Sequence, residues 1–196
     1  MKNTVTIIQK NHNQKGANHM SQDTTINQTT KASSSERVKS LVITAVCTAL
    51  TYVFTACVNI SLPLAKGGLI HLGNIPLFLA AILFGKKTGA IAGGIGMGLF
   101  DLLSGWAVWA PFTLIDTALM GYVIGVITEK KRGTRWNIIA AVTACVIKVV
   151  GYYIAEVIIY GNWIAPVLSI PANIIQVVAA AIFVLPVVER LRKIIR

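Results

Sequence analysis

The sequence predicts an all-α integral membrane protein, a six-transmembrane-helix bundle with both termini in the cytoplasm. Three observations predict it. Of 196 residues, 55% are hydrophobic and only 13% are charged, whereas a soluble domain is about a quarter charged. From Arg37 onward the chain is a succession of apolar blocks, several close to the about 20 residues that a membrane-spanning helix needs. Finally, the net charge of +11 sits in alternate loops between those blocks, not in one water-facing patch.

The blocks follow in order. Residues 1–36 are rich in Asn, Gln, Thr, Ser and Lys, too polar to bury the surface that would offset chain entropy. They are expected to form a disordered cytoplasmic tail, with residues 37–196 as the six-helix membrane domain. The apolar stretch at 5–8 is too short for a signal peptide. The first block is 41–60 and the second 72–84, ended by Lys86 and Lys87. The third, 88–104, is short and Gly-rich. The fourth, 111–128, opens on Pro111, tolerated in a first helical turn. The fifth is 137–160. The sixth, 170–188, has Pro171 in its first turn and Pro186 in its last. The shorter blocks fit if tilted, or if packed where lipid does not reach them.

Placing the tail inside and alternating puts 16 of the 18 Lys and Arg on the cytoplasmic side, a strong positive-inside pattern. The exceptions are Lys66, in an outer loop, and Lys148, within the fifth block. The basic charge is thereby explained without nucleic acid. Cys47, Cys57 and Cys145 lie in apolar runs with no C-x-x-C spacing, which argues against a disulfide framework or a metal site. No Walker A motif, no nucleophile–base set and no cofactor motif is present, so no catalytic residue is assigned.

Charged groups inside a bilayer are costly and mark function by default. The candidates are Asp101, Asp116, Lys148 and Glu156, with Asn173 and Gln176 as uncharged partners. By the alternating topology all but Lys148 fall in the outer half, on four helices, as a polar cavity open to the outside would require. Lys148, Tyr152 and Glu156 are spaced i, i+4, i+8, which puts them on one helix face. Asn173 and Gln176 share a face of the last helix. The structural alternative is that Lys148 snorkels and the amides tie helices together. Asp101 has a further alternative as a cap or loop anchor. Trp106 reads as part of an interfacial aromatic belt, while Trp109 and Trp163 divide between belt and ligand stacking. Gly85, Gly89 and Gly93 step by four, the spacing that lets membrane helices approach closely.

These residues carry a family resemblance. LGNIPLFLAAILFG over 72–85, DLLSG over 101–105, WAPFT over 109–113, GYYIAE over 151–156 and IPANIIQ over 170–176 resemble a substrate-binding S component of an energy-coupling factor (ECF) vitamin transporter. The likeness is to the subfamily for riboflavin, hydroxymethylpyrimidine and vitamin B6-type substrates. It implies six helices in the bacterial plasma membrane and a ligand pocket near the outer face, lidded by the loop 59–73. It also implies partners: a transmembrane coupling subunit meeting small residues on the first helix, here Ala45 and Ala49, and two cytoplasmic ATPases. Lys148 has no counterpart in the pattern.

The expected function is therefore capture of a small heteroaromatic vitamin or precursor from outside, for ATP-driven uptake. Hydroxymethylpyrimidine or a pyridoxine-like compound is expected first and riboflavin second. Asn173, Gln176 and Glu156 would bond the ligand's polar edge. Tyr152 and Trp109 would cover its ring, and Asp116 would contact a hydroxyl or ring nitrogen or order the site. Two other classes stand beside this reading. A self-sufficient secondary transporter would need internal repeats and broken helices. An intramembrane enzyme would have only Lys148 and Glu156 as an ionic pair.

Overall fold

The computed structural model describes residues 34–57, 59–61 and 69–195. Six helices are present among them: α1 Ser34–Cys57, then α2 Asn74–Phe84, α3 Lys86–Leu103, α4 Ala110–Lys130, α5 Thr134–Tyr160 and α6 Ile170–Ile195. Two three-residue strands, β1 Asn59–Ser61 and β2 Leu69–His71, pair antiparallel between α1 and α2, with Asn59 opposite His71. A 3₁₀ segment, Ala165–Ser169, leads into α6. Neither the strands nor this segment is anticipated by the apolar pattern. The expected tail lies outside the described residues, except that residues 34–36 form the first turn of α1. Lys66 and residues 62–68 of the expected lid also lie outside them.

Contacts divide the chain into Met1–Val42 and Ile43–Arg196. The described part of the first, residues 34–42, is exposed helix. The second holds the bundle. Four helical segments are long and apolar enough to cross a membrane: Ser34–Cys57, Ala110–Lys130, Thr134–Tyr160 and Ala165–Ile195. With 11 residues, α2 is about 16 Å long, too short to span. It is wrapped by its neighbours, with Leu77, Phe78, Ala80 and Ala81 at most 1% exposed. Pro186 lies well inside α6 rather than in its last turn, because that helix continues to Ile195.

The helices are built inside out relative to a soluble protein. On α5, the large apolar residues Ile138, Val142, Val146, Val150, Ile154 and Ile158 are all exposed and spaced by four, so they form one lipid-facing stripe. The opposite face buries Ala140, Ala141, Ala144, Lys148, Ala155 and Glu156. Lipid is as apolar as leucine, so close packing rather than hydrophobic burial holds such helices together. The glycines of α3 supply that packing. A Cβ at Gly121 of α4 would fall on the backbone of Gly89, and one at Gly93 would lie 2.6 Å from the Thr117 carbonyl. Buried threonines return their hydroxyls to the preceding turn, as Thr51 to the Cys47 carbonyl (2.9 Å) and Thr117 to the Thr113 carbonyl (2.7 Å). The hydroxyl proton of each of these threonines is then paired inside the apolar interior.

Gly85 joins α2 to α3 at φ 92°, a backbone angle glycine adopts without steric cost. Beyond it, the Lys86 N–H donates to Glu129 Oε1 (2.8 Å) and the Lys86 ammonium pairs with Glu129 Oε2 (3.4 Å). At the same end, Asn137 donates to Glu189 Oε1 (2.7 Å), and Arg192 bridges Glu189 (3.0 Å) and the Ile82 carbonyl (3.2 Å). These contacts tie the ends of α2, α5 and α6.

Candidate functional site

A polar cavity lies at the opposite end of the bundle, where α3 and α5 finish, α4 and α6 begin and β2 arrives. It encloses about 500 Å³ of unfilled space, its open mouth included. Its lining comes from every one of those elements. β2 contributes His71, and α3 contributes Asp101. Trp106, Trp109 and Thr113 come from the start of α4 and the turn before it. Lys148, Tyr152 and Glu156 come from α5, Ser169 from the 3₁₀ segment, and Ala172, Asn173 and Gln176 from α6.

Helical spacing explains how the sequence delivers these groups. Lys148, Tyr152 and Glu156 are the i, i+4, i+8 stripe of α5, opposite its lipid-facing stripe. Trp109 and Thr113 repeat that step on α4, and Asn173 and Gln176 do so with i, i+3 on α6. The Asn173 amide donates to the Ser169 carbonyl (3.3 Å). This holds its side chain at the 3₁₀–α6 junction with its carbonyl oxygen still able to accept.

An aromatic wall closes one side. Trp109 and Tyr152 stack with centroids 6.4 Å apart and planes 24° from parallel, and Tyr160 meets Trp109 edge-on at 5.9 Å. The Tyr152 hydroxyl shares a hydrogen bond with the Thr113 hydroxyl (3.0 Å). The Lys148 ammonium sits 4.5 Å from the Tyr152 ring centroid, within cation–π range. Lys148 is 1% exposed, so the snorkelling alternative does not describe it.

His71 is held by its own turn. Its Nδ1 accepts the Gly73 N–H at 3.3 Å, which leaves the Nε2 proton as a donor. Gly73 must be glycine here, because a Cβ would fall on the Thr55 hydroxyl and within 3.1 Å of His71 Nδ1. Burial, with the Lys148 charge second, pushes the His71 pKa down to about 3. The imidazole is therefore neutral at physiological pH. The set can donate from a neutral imidazole and an ammonium, accept at two carboxylates, and offer amides and a flat apolar wall. That is the lining of a small polar aromatic ligand's site.

Of the residues singled out from the sequence, Trp109, Tyr152, Glu156, Asn173 and Gln176 line this cavity, and Asp116 does not. Asp116 is one turn beyond Thr113 and falls behind the wall, against Gly151 of α5. Trp106, expected in an aromatic belt, lines the cavity, whereas Trp163 is 71% exposed and lies outside it. His71, Trp106, Thr113 and Ser169 were not singled out as ligand contacts. Thr113 could have been found from its step of four after Trp109. His71 carries no sequence signal, since only the hairpin brings it in. Among the described residues no His/Cys/Asp/Glu group has metal-site geometry. Ala45 and Ala49 are exposed on α1, away from the cavity lining.

Comparisons with known proteins agree on the class of molecule. The family model described as ECF-type riboflavin transporter, S component, matches residues 35–193. The chain is similar to the thiamine precursor transporter HmpT of Lactococcus lactis subsp. cremoris (strain MG1363), with 30% identity over 165 residues, 82% of this chain and 93% of the relative. It is 32% identical over 109 residues, 56% of this chain and 72% of the relative, to an uncharacterized protein in gap 3'region of Pyrococcus woesei. A solved S component of a bacterial ECF transporter superposes with a TM-score of 0.68 at 22% identity, over 82% of this chain and 99% of that one. That last likeness speaks for the fold.

Proposed function

The chain belongs to the ECF-type riboflavin transporter S-component family, and from that premise we propose that its cavity takes a small one-ring vitamin precursor, hydroxymethylpyrimidine first. It is a substrate-binding membrane subunit of an ECF importer, not an enzyme and not a self-sufficient transporter, and S components work with an ECF energising module.

The observation that carries the ligand reading is the cavity lining. Trp109 and Tyr152 offer a flat apolar face. Glu156, Asn173 and Gln176 offer the donors and acceptors that an aminopyrimidine edge requires. The related thiamine precursor transporter supports the same choice. A pyridoxine-like compound, also one ring with hydroxymethyl groups, ranks next and riboflavin after it.

In this reading both termini are cytoplasmic, because the basic residues cluster at that end, and the cavity opens outward. The segment before α1 lies on the cytoplasmic side, and the hairpin of β1 and β2 belongs to a lid that brings His71 over the ligand. Ala45 and Ala49 form the groove for the transmembrane coupling subunit, with two ATPases completing the complex. Calorimetric titration of the purified chain with hydroxymethylpyrimidine, pyridoxine and riboflavin tests the ligand. Tightest binding of hydroxymethylpyrimidine supports the proposal, and a preference for riboflavin sinks it.

A further inference from the structure

Lys148 is the one ammonium on the cavity wall among the described residues. A charge so deeply buried costs several kcal/mol unless compensated. Part of the compensation is the Tyr152 ring. No carboxylate lies within 4 Å of the ammonium among the described residues, but the fields of two, Asp116 and Asp101, reach it. They stand on different sides of the wall. Asp101 lines the cavity, whereas Asp116 lines an apolar groove between α4 and α5, among Leu119, Val146 and Val150.

Among the described residues, Asp116 has Lys148 as the one cation whose field reaches it. It is 7% exposed, and its Oδ2 is buried with no hydrogen-bond partner. A carboxylate against hydrocarbon is among the costliest placements in a membrane protein. Yet α5 makes room for it. Gly151, one turn beyond Lys148, has no side chain, and a Cβ there would fall on the Asp116 carboxylate.

We propose that Asp116 is a positioning residue that holds the Lys148 ammonium in the cavity wall from behind, and that Lys148 so held sets the ligand charge the cavity accepts. This rests on the cavity being the vitamin site. With Asp116 present, the field of Lys148 inside the cavity is largely cancelled, and a neutral ligand is preferred over its phosphate ester. Neutralising Asp116 releases that field toward the ligand.

The test uses the full chain in detergent, with hydroxymethylpyrimidine and its monophosphate as probes. Asp116→Asn is expected to shift the ratio of the two affinities toward the monophosphate by about tenfold. In the Lys148→Met background the same substitution should leave the ratio unchanged. An unshifted ratio in Asp116→Asn, or an equal shift without Lys148, overturns the proposal. A second measurement needs no ligand. Each single variant should lower the thermal midpoint, and the double variant should recover at least half of the combined loss, because a buried pair removed together leaves no stranded charge. Additive losses would overturn the pairing. This arm reads out even if neither probe binds the wild type, a result that would instead remove the hydroxymethylpyrimidine reading.

Discussion

Asn173 and Gln176 stand one turn apart on α6, and both are buried against the cavity. A buried polar ligand group deprived of its partner loses about 1–3 kcal/mol. Asn173→Ala and Gln176→Ala are each expected to weaken binding by that amount while leaving the protein folded, as titration of the purified variants will read. Unchanged affinity in both would move the site off α6. His71 makes a separate prediction. Its pKa is about 3 in the folded chain against about 6.5 unfolded. The stability contributed by the neutral imidazole is therefore complete above pH 6.5 and is lost as the pH falls toward 3. Between pH 7 and pH 5 the loss is at most about 2 kcal/mol. Thermal unfolding in detergent should show a drop over that range, and His71→Gln should make it smaller. An equal drop in both proteins would contradict a buried neutral His71.

Elements in this molecule are specified by where side chains are missing as much as by where they are present. Backbones of α3 and α4 approach so closely at Gly89 and Gly121 that one added methyl meets main-chain atoms. Gly121→Ala is expected to cost about 1–3 kcal/mol through forced separation of the two helices, visible as a lower thermal midpoint. An unchanged midpoint would mean the pair can slide apart freely. The same economy of side chains appears on α1, where Ala45 and Ala49 are exposed one turn apart. Ala45→Trp combined with Ala49→Trp should abolish assembly with the coupling subunit and uptake, because a backbone can no longer pack there. Binding by the isolated chain should stay near wild type, since neither residue lines the cavity. Transport that survives, or binding lost together with transport, would show that the two faces are not separate.

For the whole molecule, the cavity is assembled from β2, α3, α4, α5, the 3₁₀ segment and α6, all beyond residue 68. Removal of residues 1–30 is therefore expected to leave ligand affinity unchanged in the purified protein. A clear loss of affinity would place part of that segment on the membrane domain. A site built by six elements also explains why this fold suits a capture subunit. Its polar groups come from separate elements, so the lining depends on how the helices pack together.

The membrane class, the six helices and the polar stripe of α5 could all be read from the sequence, because each depends on local composition or on the 3.6-residue period. So could the packing role of Gly89 and Gly93, since close helix approach leaves its small residues at fixed spacing, whereas Gly85, the first of that series, instead forms the α2–α3 joint at φ 92°. Family membership was legible for the same reason, as ordered short motifs. The tertiary structure decided what period alone leaves open. A one-turn step along α4 separates Thr113, inside the cavity, from Asp116, behind its wall, and only the packing of α5 against that face distinguishes them. His71 and Ser169 enter through a hairpin and a 3₁₀ segment, which have no apolar period to announce them. Helix spacing tells which residues share a face, but the neighbouring helices determine whether that face meets ligand, lipid or another charge.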